Sequence, residues 1–211
     1  MAYALKTDEV NIIPKKKRGV PFERYFGEME LPEWDKERRI EMANKLEEMM
    51  LYFFALVELY QDDLEDAIDS IVELLALKYR DVLSEYIDID EYLQDYTDQF
   101  AVQMMETTED DLENPWMLSD DRAVFDAENE ANFTAEYINY VKAVKAGKKN
   151  KVWRAFSDNR TRKTHKAING KVVGIFDLFE VGNALMRFPK DTLYGNYPEE
   201  VVNCRCTATY F

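Results

Sequence analysis

Two stretches in the C-terminal part of the chain decide its fold: residues 153–170, WRAFSDNRTRKTHKAING, and residues 200–206, EVVNCRC. Apolar and polar positions alternate over residues 152–156, a pattern typical of a short strand. The pair Ser157-Asp158 is suited to cap a short helix, and Asn169-Gly170 is suited to end it. A strand and a short helix in close succession predict a small unit of mixed α and β structure.

Upstream of this unit, apolar residues recur at the three-and-four spacing that buries one face of a helix. The spacing predicts helices at about 35–60, 62–86 and 91–107, and a fourth from the N-cap Ser119 to Gly147. We interpret the methionine and aromatic stripes of these helices as core. A di-iron helical bundle is excluded, because it needs Glu-x-x-His pairs and the chain has one histidine.

The first 33 residues differ from both of these parts. They contain three prolines, two glycines and the basic run Lys15–Arg18, so regular structure is not expected there. We therefore predict an α+β fold class in three segments. These are an extended arm (1–33), an acidic, mainly helical region (34–147) and a small α+β C-terminal domain (148–211).

Charge separates the last two segments. Residues 34–147 carry 30 acidic and 9 basic side chains, whereas residues 148–211 carry 6 acidic and 12 basic ones. The acidic region should repel a nucleic-acid backbone, and as solvated helix surface its acidic faces need no further explanation. The basic domain can approach a phosphate backbone. The candidate DNA contacts are Lys148, Lys149, Lys151, Arg154 and Lys163.

Two further features limit the class of protein. No apolar run reaches the roughly 18 residues that a membrane span needs, so we expect no membrane partner. The two cysteines, Cys204 and Cys206, are too close in sequence for a relaxed mutual disulfide, which favours a reducing compartment.

The C-terminal stretches resemble the phage head-morphogenesis (Mu protein F-like) minor head proteins. In that family pattern a tryptophan is followed by an aspartate, two alternate arginines, a histidine and an Asn-Gly pair. A glycine (Gly182), a proline with a nearby aspartate (Pro189, Asp191) and a terminal Asn-Cys-Arg-Cys follow. The resemblance covers about residues 150–211, and family members commonly carry a helical region before this domain. The signature residues of this chain are Trp153, Asp158, Arg160, Arg162, His165, Asn169, Gly170, Glu200, Asn203, Cys204, Arg205 and Cys206.

The resemblance implies a structural minor head (capsid) protein of a tailed bacteriophage, not an enzyme, that acts in procapsid assembly and head morphogenesis. It makes the phage portal protein the expected partner, with the scaffold protein, the major capsid protein and packaged DNA as further partners. The expected location is the head interior of the virion near the portal vertex, and the host cytoplasm during assembly. A head-to-tail connector or adaptor is the alternative within the virion.

The signature residues leave three chemical interpretations open. In the first, His165, the arginines and the acidic residues form a structural polar network without a cofactor. In the second, His165, Cys204 and Cys206 bind zinc, with a fourth ligand from an acidic residue or water. Many family members carry a further Cys-x-x-Cys where this chain has residues 162–165. In the third, the same three residues serve a metal-binding enzyme or effector, although no catalytic signature orders them.

Overall fold

Residues 4–10, 21–195 and 197–211 are described by the computed structural model, with the backbone alone described at Pro21. The basic run Lys15–Arg18 lies outside these residues. The described part is α+β, as predicted. Its helices are α1 (Pro21–Gly27), α2 (Glu33–Leu59), α3 (Leu64–Ser84), α4 (Glu91–Asp110), α5 (Asp120–Lys145), α6 (Lys163–Ala167) and α7 (Pro198–Val201). Its strands are β1 (Asn150–Arg154), β2 (Val172–Gly174), β3 (Phe179–Val181), β4 (Ala184–Met186) and β5 (Thr207–Tyr210).

The described residues group into two compact units. The first combines residues 4–10, 21–24 and 40–128, and the second combines residues 25–39 and 129–211. The three predicted segments followed charge and composition, and their bounds stay a prediction. Within the described ranges, every helix is too short or too polar to cross a membrane.

Helices α3 and α4 pack against each other in the first unit. Each buries one stripe, as the three-and-four spacing predicted, and Tyr79 of α3 makes an edge-on ring contact with Phe100 of α4 at 5.1 Å. Asp90 caps α4, since its side chain accepts a 3.0 Å hydrogen bond from the Leu93 amide. The predicted cap of α5 also forms, because Ser119 Oγ accepts a 3.2 Å bond from the amide of residue 122.

A three-stranded antiparallel sheet in the order β2-β1-β5 organises the second unit. The central strand β1 places the fully buried Trp153 opposite Ala208 of β5. Strands β3 and β4 form a separate hairpin around Gly182-Asn183. The hydrophobic core of this unit consists of Trp153, Phe179, Val181, Ala184, Met186, Cys204 and Cys206.

Three local features differ from the sequence-based expectation. Helix α1 forms within the stretch where we expected no regular structure, and it buries Phe22 and Phe26. The β3-β4 hairpin was not predicted, because its three-residue strands are too short to show an alternating pattern. Helix α6 begins only at Lys163, since the Asp158 side chain caps a turn instead, accepting from the backbone amides of residues 160 and 161.

Candidate functional site

A buried cluster in the second unit centres on His165, the only histidine of the chain. Its Nδ1 lies 3.2 Å from Cys206 Sγ and 3.5 Å from Cys204 Sγ. Its Nε2 lies 2.9 Å from Glu200 Oε2. All four side chains are buried, and the exposed fraction of none exceeds 6%. The structure thus brings together three residues that the sequence singled out as metal ligands and one of the candidate fourth ligands.

The segment that leads into β5 aims both sulfur atoms at the histidine. Residues two apart in an extended chain point to the same side, so Cys204 and Cys206 face inward together. Arg205 between them points the other way and pairs with Asp158. The Cys-x-Cys spacing therefore places both sulfur atoms on the side of this segment that faces the histidine, just before β5 begins at Thr207.

Contacts with Glu200 and Trp153 fix the orientation of the His165 ring. Glu200 lies on α7. Its Oε2 accepts a 2.8 Å hydrogen bond from Thr164 Oγ1 and also faces His165 Nε2. The Trp153 ring meets the imidazole edge-on at 5.6 Å. The ring of His165 therefore has one orientation that satisfies both of its nitrogens.

Gly182 leaves room for the Glu200 carboxylate. A Cβ atom at this position would lie 2.2 Å from Glu200 Oε1, far closer than a van der Waals contact. Its φ of +60° also lies in the left-handed region that favours glycine. Both the hairpin turn and the approach of Glu200 therefore require the absence of a side chain here.

The cluster shifts the acidity of its own members. A hydrogen bond from Cys206 lowers the pKa of Cys204 well below its ordinary value, against the effect of burial, and His165 lowers it further. The same bond and burial raise the pKa of Cys206. Burial works to lower the pKa of His165. The hydrogen bond with Cys204 and the negative charge of the Cys204 thiolate outweigh this effect and raise the pKa overall. One sulfur atom of the pair is therefore predisposed to be a thiolate.

A second network on the outer side ties the turn before α6 to the segment before β5. Asp158 pairs with Arg160 at 3.1 Å and with Arg205, whose guanidinium lies 3.9 Å over the Phe156 ring. Desolvation works to raise the pKa of Asp158, but hydrogen bonds from Thr161, Arg205 and Arg160 hold it well below its usual range.

Arg162 and Glu200 take no part in this outer network. Arg162 does not pair with Asp158 but donates to the Val202 carbonyl at 2.5 Å. Glu200 serves His165 rather than Arg205. The Asn169-Gly170 turn is anchored to β1, since Asn169 Oδ1 accepts from the Ala155 amide at 2.9 Å and the Gly170 amide donates to the Trp153 carbonyl at 2.9 Å.

Helix α5 supplies polar anchors that the sequence reasoning missed. Asn129 Oδ1 accepts from Lys190 Nζ and from the Asn203 amide, each at 2.7 Å. Asn132 Nδ2 donates to the Cys204 carbonyl at 2.8 Å. Buried polar residues at three-residue spacing on an otherwise apolar helix face were the signal available in the sequence. Asn203, with a φ of +56°, adopts the left-handed conformation that asparagine tolerates better than most residues.

One of the five predicted DNA contacts is corrected by the structure. Lys151 is fully buried, and its Nζ donates to the Ile175 carbonyl at 2.9 Å. Burial lowers the pKa of Lys151 to about 8. The error arose because alternation along β1 turns this lysine toward the interior. Lys148, Lys149, Arg154 and Lys163 are exposed.

Comparison with known proteins identifies the family. The family described as phage Mu protein F like protein matches residues 83–209, which include every residue of the cluster around His165. Neither the curated proteins nor the solved structures contained a significant match. Because the match spans more than half of the chain, the protein belongs to the phage Mu protein F like family, whose members are proteins of phage head morphogenesis.

Proposed function

We propose that the protein is a structural minor head (capsid) protein that acts in procapsid assembly by binding the portal from inside the head. The family match over residues 83–209 carries this proposal, because it includes helix α4 and all of the C-terminal sheet except the last residue of β5. We infer that the chain provides a fixed shape and a contact surface, and we infer no catalytic step for it.

The surface of the first unit favours a protein partner over DNA. Residues 40–128 hold 26 acidic and 4 basic side chains, a balance that repels a phosphate backbone. The same balance attracts a basic protein surface and speeds its association. A portal segment rich in lysine or arginine therefore fits this unit.

A groove between α3 and α4 offers a defined place for such a segment. Its volume is about 520 Å³, and both apolar and acidic side chains line it. Val102 is among the apolar lining residues and is 44% exposed. The lining residues are Ile68, Asp69, Val72, Glu73, Ala76, Asp98, Val102, Met105, Glu106 and Glu109. An amphipathic helix of the partner, with apolar side chains flanked by basic ones, matches this arrangement.

The second unit carries the exposed basic residues of the proposed DNA contact. Lys148, Lys149, Arg154 and Lys163 are exposed there, and they can meet packaged DNA once the acidic helices are covered by protein. The proposal thus assigns the acidic helices to the portal and the basic domain to the lumen of the head.

Binding to the portal protein of the same phage tests the groove. We expect Val102→Asp, and separately Glu106→Lys with Glu109→Lys, to weaken binding of the purified portal at least about tenfold, since each removes complementarity at the centre of the contact. The control carries the same charge change outside the groove, Glu48→Lys with Glu113→Lys, and should keep most of the affinity. Equal affinities for groove and control variants would contradict the assignment.

Position in assembled particles separates this function from the connector alternative. Cross-linking of purified heads should join the first unit to the portal and exposed lysines of the second unit to DNA. A ring of the protein on the outer face of the portal, or a position in the tail, would overturn the interior location and favour a connector or adaptor.

A further inference from the structure

We infer that His165, Cys204 and Cys206 form a zinc site, in which Glu200 orients the histidine and water completes the coordination. This inference goes beyond the role in head assembly and does not depend on the portal. It concerns what holds the second unit together, and it rests on the geometry of the buried cluster.

The distances between the candidate ligand atoms are close to those in a tetrahedral zinc site. The nitrogen and the two sulfur atoms lie within 4.8 Å of one another. Bond lengths of about 2.3 Å to sulfur and about 2.0 Å to nitrogen give an N–S edge of roughly 3.5 Å in a tetrahedral complex. The observed distances from His165 Nδ1 are 3.2 Å to Cys206 and 3.5 Å to Cys204. The two nitrogen–sulfur distances therefore need to change by only a few tenths of an ångström to match a zinc site.

Glu200 occupies the place of the carboxylate that commonly supports a metal-bound histidine. It lies 2.9 Å from Nε2, on the opposite side of the ring from the sulfur atoms. A proton on Nε2 donated to this carboxylate leaves the Nδ1 lone pair for the metal and increases its basicity. Thr164 and the bare face of Gly182 hold the carboxylate in position. Glu200 is thus a positioning residue and not the fourth ligand.

The fourth coordination position belongs to water. Among the described residues, the three-residue group around His165 is the set whose ligand atoms converge closely enough to hold an ion. Asp158, the other acidic candidate, is engaged by Arg160 and Arg205. Three protein ligands and one water give zinc four-coordinate tetrahedral geometry with one exchangeable position.

The donor set selects a borderline-soft cation. Two sulfur atoms and one imidazole favour zinc over magnesium or calcium, which prefer oxygen ligands. The surrounding core, formed by Trp153, Phe179, Val181, Ala184 and Met186, is apolar. A site in such surroundings is most stable when its net charge does not change on binding.

The proton balance meets this requirement. In the metal-free cluster two protons are shared among Nδ1 and the two sulfur atoms, whichever tautomer is present. Zinc forms one bond to nitrogen and two to sulfur, and both protons leave for solvent. One divalent cation thus replaces two protons, and the buried cluster keeps its net charge.

Metal analysis of the purified full-length chain tests the inference. We expect one zinc ion per chain after purification without chelator, and a thiolate-to-metal charge-transfer band when Co²⁺ replaces zinc. Because Cys204 and Cys206 are the only cysteines of the chain, that band reports this site alone. A folded wild-type protein that binds neither ion at micromolar concentration would overturn the inference.

Matched variants distinguish the site from weak binding by surface carboxylates. Cys204→Ser with Cys206→Ser should abolish stoichiometric zinc binding, and Glu106→Gln with Glu109→Gln should leave it unchanged. Glu200→Gln keeps all three ligands and should weaken zinc binding about 10-fold to 100-fold. If the serine variant does not fold, the cobalt spectrum of the wild type and the Glu200→Gln affinity decide. Unchanged affinity in Glu200→Gln would refute the positioning role, and retention of zinc by the serine variant would refute the site.

Discussion

The buried ion pair between Arg39 and Glu136 gives the most direct test of what stabilises the second unit. Both side chains are fully buried, and Arg39 Nη2 lies 2.6 Å from Glu136 Oε1 and 3.1 Å from Asp35 Oδ2. The second carboxylate oxygen of Glu136 accepts a 3.0 Å hydrogen bond from the Ala208 amide of β5. The pair therefore links α2 and α5 to the sheet edge, and Arg39→Met removes the link with little loss of volume.

Removing one partner of a buried pair leaves the other charge uncompensated, which costs about 3–5 kcal/mol of unfolding free energy. We expect a loss of this size for Arg39→Met at pH 8. Burial already raises the pKa of Glu136 to about 7 in the wild type, against the effect of Arg39. A carboxyl group with a raised pKa in the folded state stabilises the fold below its unfolded pKa, and this stabilisation is lost as the pH rises through the folded pKa. The loss in Arg39→Met should accordingly shrink between pH 8 and pH 5.

Denaturation by urea, followed by far-UV circular dichroism, measures these free energies, and exchange of the Ala208 amide hydrogen localises the effect. Adding Glu136→Gln to Arg39→Met removes the unpaired charge and should restore about 1–3 kcal/mol. Arg80→Met is the matched control, because Arg80 pairs with the half-exposed Asp98 and shares no partner with Arg39; its loss should be about 1 kcal/mol or less. The reasoning fails if Arg39→Met costs no more than this control, or if the second substitution restores nothing.

Three other substitutions have defined outcomes. Gly182→Ala should cost about 1–3 kcal/mol in thermal unfolding, from its positive φ and the clash with the Glu200 carboxylate; an unchanged melting temperature would contradict it. Trp153→Ala should cost about 3–5 kcal/mol in urea unfolding, since the side chain is fully buried, whereas the 42% exposed Trp116 should cost far less when replaced by alanine. Burial lowers the pKa of Lys190 to about 8, from about 10.5 in the unfolded chain. Between these two pH values Lys190 is protonated more often in the unfolded chain than in the folded protein, so its contribution to the unfolding free energy rises with pH. Lys190→Met should remove that rise in a comparison of unfolding free energies at pH 8 and pH 10, and a rise of equal size in the variant would contradict the assignment.

Helix positions in this chain were readable from the sequence because their signals are local. The three-and-four spacing and the cap residue Ser119 are properties of neighbouring residues, and they located α2 to α5 within a few positions. The α1 helix and the β3-β4 hairpin were missed because a few residues each give too little periodicity. Lys151 was misplaced for a different reason, since only the tertiary packing shows that both faces of β1 are buried, including the face that carries Lys151.

The candidate site was also only partly predictable from the sequence. The resemblance to the family singled out His165, Glu200, Cys204 and Cys206 from the sequence, and the structure places them within contact distance of one another. Their individual roles required coordinates, because the side of the imidazole that each residue faces depends on contacts between residues about forty positions apart. The hydrogen bonds that link Asn129 and Asn132 to the segment around Cys204 span more than seventy residues of the chain, so no local pattern predicted them.

The register of the sheet also sets an order for folding during synthesis. Strand β1 is central, and one of its two partners, β5, ends at Tyr210, more than fifty residues later in the chain. Pairing over such a separation waits until the later strand has left the ribosome, whereas α3 and α4 follow each other directly and can pack earlier. A nascent chain therefore passes through a stage in which α3 and α4 are formed while β5 has not yet paired with β1 and Trp153 is still exposed. Chaperones that recognise exposed aromatic side chains would meet the protein at this stage, before either unit joins an assembling head.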